Sequence, residues 1–191
     1  MTSFSLFQKH TTFKPDAIKL FQTGFQELAM PLPERKKLRL IDYDYSQAGL
    51  YFVTICINNR RNLLWNDTNP STSTQLVIVS LSKIGLTVDS AIQNISVYYP
   101  NVSVEKYVIM PNHIHLILRI SGNGGRALRA PTISQIVLQM KAYITKQLGE
   151  SIWQKGFYDR IIRNDEEYRM VWDYIDTNPI NWQDDTQYGS T

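Results

Sequence analysis

Residues 107–120 read "YVIMPNHIHLILRI" and hold two of the chain's three histidines, His113 and His115. A strand turns successive side chains to opposite faces, so residues i and i+2 share one. The spacing therefore predicts two imidazoles side by side, with Ile114 and Leu116 facing the other way. Two adjacent imidazole nitrogens can serve one metal ion. Two ligands rarely suffice, so a third donor must come from elsewhere in the chain. A buried histidine is more often structural than functional. The rarity of histidine here favours function, because the third, His10, lies far upstream.

Several familiar uses of a His-x-His pair are excluded. A cupin-like site wants a glutamate a few residues on, where this chain has Leu118 and Arg119. Amidohydrolase-type centres need more histidines than exist. Two-histidine phosphoesterases need two separate His-x-Ser/Thr motifs, and neither is present. The glycine-rich stretch "SGNGGRALRAP", 121–131, lacks the Gly-Lys-Ser/Thr end of a phosphate loop.

The elements that must hold these residues follow from periodicity. "GLYFVTICINN", 49–59, has the β-branched and aromatic content of a buried strand. Residues 65–75 form a polar loop. The next segment starts as a strand and from about Ser80 turns helical, with Leu81, Ile84, Val88, Ile92 and Ile95 at helical spacing. Residues 102–109 and 113–120 are two strands joined at "MPN". A helix follows, capped by Thr132 or Ser134, with Ile133, Ile136, Val137, Met140 and Ile144 as its apolar stripe and Gly149 as its stop. "WQKGFYDRIIRN" gives a turn and a short strand. The last helix runs from about Asp165 to Thr177, with Asn164 and Glu167 spaced as a capping box. Pro179 disfavours helical geometry at Asn178. The order β-α-β-β-α-β-α suits an α+β fold: a ferredoxin/RRM-like antiparallel sheet with helices packed on it and the His-x-His pair on a central strand.

Three regions are expected. Residues 1–33 are an N-terminal appendage, with Ile18, Phe21, Phe25 and Leu28 at helical spacing. Residues 34–183 are the main domain, and 184–191 a tail. "ERKKLRL", 34–40, reads either as a solvated linker or as a phosphate-contacting arm. At 191 residues, 43% apolar and 12% aromatic, the chain can bury a core. A net charge of +3 permits a nucleic-acid partner without demanding one. The single cysteine, Cys56, rules out an internal disulfide and a multi-cysteine zinc site. No apolar run approaches the ~20 residues of a membrane helix. The N-terminus lacks a continuous apolar run of the secretory kind, so a cytoplasmic protein is expected.

"MPNHIHLIL", followed after a helix by "IWQKGFYDRIIRNDEEYRMVWDYIDTNP", resembles the single-tyrosine HUH transposases, and more closely their REP-associated branch. "LRLIDYDYSQAGLYFVTICINNRRNLLW" fits the same pattern. The resemblance covers roughly residues 35–183, and its two blocks in this order are specific. It implies that His113 and His115 are metal ligands, that Tyr174 is the nucleophile, and that Asn178 occupies the place of the amide-bearing third ligand, where many relatives carry glutamine. It further implies cleavage and rejoining of single-stranded DNA, beside a hairpin or palindromic repeat, through a 5′-phosphotyrosine with Mg²⁺ or Mn²⁺. The REP-associated branch can act as monomers and simpler relatives as dimers.

The residues agree with that placement. At about 100° per residue, Tyr168, Val171, Trp172 and Ile175 form the core stripe of the last helix. Tyr174 lies roughly 110° to one side of its centre, with Asn178 between. Tyr174 and Asn178 are i and i+4, neighbours along one edge. Tyr158 and Tyr143 are rival phenols, the first beside a strand and the second on the preceding helix. Arg60, Arg61, Arg126, Arg129, Lys141, Lys155, Arg160 and Arg163 are candidate DNA contacts, each weighed against a solvated surface charge. Trp65, Trp153 and Trp182 could stack on bases, with core packing the alternative. Two other functions compete with strand transfer: a non-catalytic DNA hairpin-binding protein that keeps the fold, and a metal hydrolase using water in place of tyrosine.

Overall fold

The computed structural model describes residues 47–66, 71–73, 76–122 and 131–182. The appendage helix expected in residues 1–33, the "ERKKLRL" segment, and Arg126 and Arg129 lie outside the described residues. Among the described residues, no helix is long and apolar enough to cross a membrane.

Among the described residues, six strands and four α-helices follow in chain order, with a short 3₁₀ turn at Asn58–Arg60 after the first strand. They are β1 (Gly49–Cys56), β2 (Ser71–Ser73), β3 (Leu76–Ile78), α1 (Lys83–Gln93), the short α2 (Ile95–Tyr98), β4 (Val102–Ile109), β5 (His113–Ile120), α3 (Ile133–Leu148), β6 (Tyr158–Ile162) and α4 (Asp165–Thr177). A four-stranded antiparallel sheet has the order β4-β5-β1-β6. With β2 and β3 set aside, this is the ferredoxin-like arrangement expected, and β5 is an interior strand. The hairpin of β2 and β3 is an addition to the expected order, because its first strand, Ser71–Ser73, falls in a stretch read as polar loop.

The sheet has two unlike faces. Tyr51, Val53, Ile55, Ile114, Leu116, Leu118 and Ile120 point into a large core closed by α1 and α3. Phe52, Ile117 and Ile162 point the other way and are covered by Val171 and Ile175 of α4. The caps are locally encoded. Ser82 accepts from Gly85 N–H at the start of α1, Thr132 and Gln135 make a reciprocal capping box on α3, and Gly149 ends α3 with φ 78°.

α4 has the expected bounds, Asp165–Thr177, but each end is held differently from expectation. Asn164 does cap it, accepting from Glu167 N–H at 2.8 Å. The Glu167 carboxylate, however, accepts from Arg163 N–H and Arg160 Nη2, each at 2.7 Å, and so ties the helix to β6. Asn178 keeps helical dihedrals (φ −55°, ψ −45°) despite Pro179. Its N–H still donates to Tyr174 O at 3.0 Å, and Ile180 and Asn181 N–H donate to Thr177 O at 3.1 and 3.2 Å. Those bonds offset the steric cost of the following proline.

Candidate active site

His113 and His115 share the α4 face of β5, as alternation requires, and both are buried. Their Nε2 atoms approach to 2.9 Å. Each Nδ1 has its own partner. His113 Nδ1 meets Asn112 Oδ1 at 2.8 Å, and Asn112 Nδ2 donates to Arg60 O at 3.3 Å. That second bond orients the amide, so its oxygen accepts from His113 Nδ1–H and leaves the Nε2 lone pair free to bind. His115 Nδ1 meets Thr54 Oγ1 at 2.8 Å across the β1–β5 ladder, and Phe52 stacks on the ring at 5.2 Å. The neighbours thus aim both rings at one point.

The helix completes the cluster. Tyr174 Oη lies 3.3 Å from His115 Nε2, with the two ring centroids 5.2 Å apart. One turn on, Asn178 is buried, and its Oδ1 has no hydrogen-bond partner among the described residues. A buried amide oxygen without a donor is costly unless something fills it. Two imidazole nitrogens and such an oxygen can hold a divalent cation. Among the described residues, no group of three His, Cys, Asp or Glu side chains offers another site.

Electrostatics favour neutral imidazoles. Burial pushes His115 down to about 3. Burial, the adjacent His115 and the Arg60 guanidinium hold His113 well below the usual imidazole range. Both rings are therefore uncharged near neutrality, the form in which imidazole binds metal.

α4 is strapped to the sheet at two points. Arg160 of β6 holds Glu167 near its start. Lys106 of β4 holds Asp176 near its end, and the Lys106 ammonium lies 4.3 Å from the centroid of the Trp172 ring. Lys106 was not singled out in the sequence. A bulge between Val104 and Lys106 shifts the register, pairing Lys106 with Ile117 and turning it to the α4 face.

The candidate DNA contacts are dispersed. Arg60 follows Asn59 in a left-handed pair (φ 52° and 54°) just past β1, and its Nη1 is buried without a hydrogen-bond partner among the described residues. Arg61, Lys155 and Arg163 are exposed. Arg160 is engaged with Glu167. Lys141 donates to Gln154 O and Gly156 O at 2.9 and 2.8 Å, and burial pushes its ammonium down to about 8. Trp65, Trp153 and Trp182 are all buried, which answers the packing question for each. Thr54 and Asn112 were missed, because a ring's partner depends on strand register and turn geometry, which composition does not reveal.

An α+β sheet with a His-x-His strand facing a helix-borne tyrosine is the class that fold and site define. No protein-family model matches the chain. An uncharacterized protein of Haemophilus influenzae is 32% identical over 174 residues, 81% of this chain and 93% of that protein. The REP-associated tyrosine transposase of Escherichia coli is 26% identical over 137 residues, 71% of this chain and 69% of that one. A solved REP-associated tyrosine transposase bound to a REP hairpin superposes with a TM-score of 0.54 at 25% identity, covering 75% of this chain and 74% of that one. REP-associated tyrosine transposases are thus the named proteins that this chain resembles in both sequence and fold.

Proposed function

We propose that this chain cleaves and rejoins single-stranded DNA beside a hairpin through a covalent link to Tyr174. The observation that carries this reading is the convergence of Tyr174 Oη, 3.3 Å from His115 Nε2, with the 2.9 Å pair of imidazoles. Hairpin DNA is the chosen substrate because a solved relative holds one.

His113, His115 and Asn178 would hold Mg²⁺ or Mn²⁺. Once bound, the cation supplies charge stabilisation at the phosphoryl oxygens and the leaving oxygen. The Tyr174 oxygen forms a bond to phosphorus as the bond from phosphorus to the 3′-oxygen breaks. The phenolic proton is lost, and the 3′-oxygen ends as a hydroxyl. One phosphodiester replaces another, so a 3′-hydroxyl can reverse the step. Asn112 and Thr54 hold the imidazoles in place, and the straps at Arg160 and Lys106 fix the helix that carries the phenol. This supplies the alignment an in-line attack needs. Exposed Arg61 and Lys155 are available to grip phosphates.

The test is incubation with a labelled hairpin oligonucleotide and Mn²⁺ or Mg²⁺. A denaturation-resistant protein–DNA adduct is expected from wild type, absent in Tyr174→Phe and retained in Tyr158→Phe. An adduct that survives Tyr174→Phe overturns the assignment. Strand scission without any adduct favours the water-using hydrolase, and binding without scission the non-catalytic hairpin binder.

A further inference from the structure

We infer that Tyr158 is the stacking platform for a base of the single strand next to the scissile phosphate. This rests on the strand-transfer reading above and adds a specific nucleobase contact to it.

The argument begins with register. Val108 pairs with His115, His115 with Thr54, and Thr54 with Tyr158. Residues directly opposite across a ladder share a face. These four side chains therefore form one row across the sheet, on the face that carries the imidazoles. Tyr158 stands two strands from His115, a separation of about 10 Å. The neighbouring row, Lys106, Ile117, Phe52 and Arg160, lies beneath α4, with its charged ends bound to Asp176 and Glu167. The helix thus covers one row and flanks the other. Along the flanked row, exposure rises outward from His115. His115 is 3% exposed, Thr54 is half-buried and Tyr158 is 49% exposed. Exposure thus grows along this row from the imidazole beside Tyr174 to the edge of the sheet, where the Tyr158 ring stands.

The state of that ring is the second observation. Among the described residues, the side chain of Tyr158 makes no hydrogen bond or ring contact, and neither do those of Tyr98 and Tyr143. Tyr98 and Tyr143 lie on α2 and α3, which pack on the other face. Tyr158 alone of the three stands on the imidazole face. A tyrosine also suits an edge strand by propensity alone, so the test must separate propensity from stacking. Stacking on an aromatic ring accepts any base, because every base has a π-face.

Tyr158→Thr keeps the strand preference and removes the ring, whereas Tyr158→Phe keeps the ring and removes the hydroxyl. Binding is measured by fluorescence anisotropy, with chelator present, on a hairpin oligonucleotide with single-stranded thymidine flanks. The flank is then scanned with single abasic sites. Tyr158→Thr should bind on the order of ten-fold more weakly and Tyr158→Phe like wild type. One abasic position should weaken wild type by the same factor and leave Tyr158→Thr unaffected, since both changes remove one contact. The platform is overturned if Tyr158→Thr binds like wild type, if Tyr158→Phe is equally weakened, or if the two factors multiply at every position. Circular dichroism melting checks that Tyr158→Thr is folded. The adduct assay separates the two readings. Wild type without an adduct, but with a coupled Tyr158–base pair, sinks strand transfer and leaves the platform. An adduct without that coupling does the reverse.

Discussion

The two faces of the sheet are built to different ends. Under α1 and α3 the face is continuous and apolar: Tyr51, Val53, Ile55, Ile114, Leu116, Leu118 and Ile120 are each at most 1% exposed. Under α4 a few apolar side chains, Phe52, Ile117 and Ile162, share the surface with two imidazoles, a lysine and an arginine. One strand serves both. β5 turns Ile114, Leu116 and Leu118 to the first face and His113 and His115 to the second. The thick core supplies the burial that keeps β5 in place, and the thin one carries the polar groups that chemistry needs. Site and scaffold are therefore separable by mutation, although they alternate along the same eight residues.

Acid should break the comparison most strongly. His115 titrates at about 3 when folded, below the 6.5 of a free imidazole. The folded state prefers the neutral ring, so between those values the unfolded chain binds a proton that the folded chain does not. Stability is therefore full above pH 6.5 and falls as pH drops toward 3, by on the order of 5 kcal/mol from this one group. His113 pulls the same way. Urea unfolding in chelator at a series of pH values reads the slope, and His115→Gln should flatten it. Equal slopes for the two proteins would show that the thin face carries no such liability.

Leu116→Ala is the converse. It opens a cavity in the thick core one residue from His115 and three from His113, and should cost about 3 kcal/mol. Because the side chain faces away from Tyr174, the folded fraction should still form the covalent adduct at close to the wild-type rate. Chemical denaturation and the adduct assay, run on one preparation, test both halves. A large loss of rate in fully folded protein would show that the faces are not separable.

Much of this division could be read in the sequence, because it is a matter of period. Alternation put His113 and His115 together and Ile114 and Leu116 opposite, and the helical period set Tyr174 beside the stripe of Val171 and Ile175. Caps and stops such as Thr132, Asn164 and Gly149 are local, and were legible for the same reason. What was not legible depends on register or on competing partners. The bulge that turns Lys106 to the α4 face leaves no compositional trace, since valine, glutamate and lysine suit either face of an edge strand. Thr54 meets His115 only because β1 and β5 align at that rung. Glu167 was read as the return half of a capping box, but Arg160 and Arg163 N–H outcompeted the cap backbone for its carboxylate. Pro179 was expected to end helical geometry before Asn178, and the turn that follows held it one residue longer.

The smallest expected effect on stability is also the sharpest probe of the thin face. Lys106 reaches up from β4 to Asp176 and lies against Trp172, so it grips α4 on either side of Tyr174 in sequence. Asp176 is 51% exposed, so its ion pair is screened, and the ring contact adds little more. Lys106→Met keeps the apolar stem and removes the charge, and should cost about 1 kcal/mol. Arg160 still holds the start of the helix, and Val171 and Ile175 still bury their stripe. The end that bears Tyr174 and Asn178 loses its strap and gains freedom to rotate over Ile117. Adduct formation at saturating DNA should then slow by more than the small change in stability accounts for, because misplacing a nucleophile costs rate steeply. Lys106→Arg, which keeps the cation over the ring, should recover most of that rate. If Lys106→Met reacts like wild type, the apolar stripe alone sets the rotation of α4, and the thin face is more rigid than its few contacts imply.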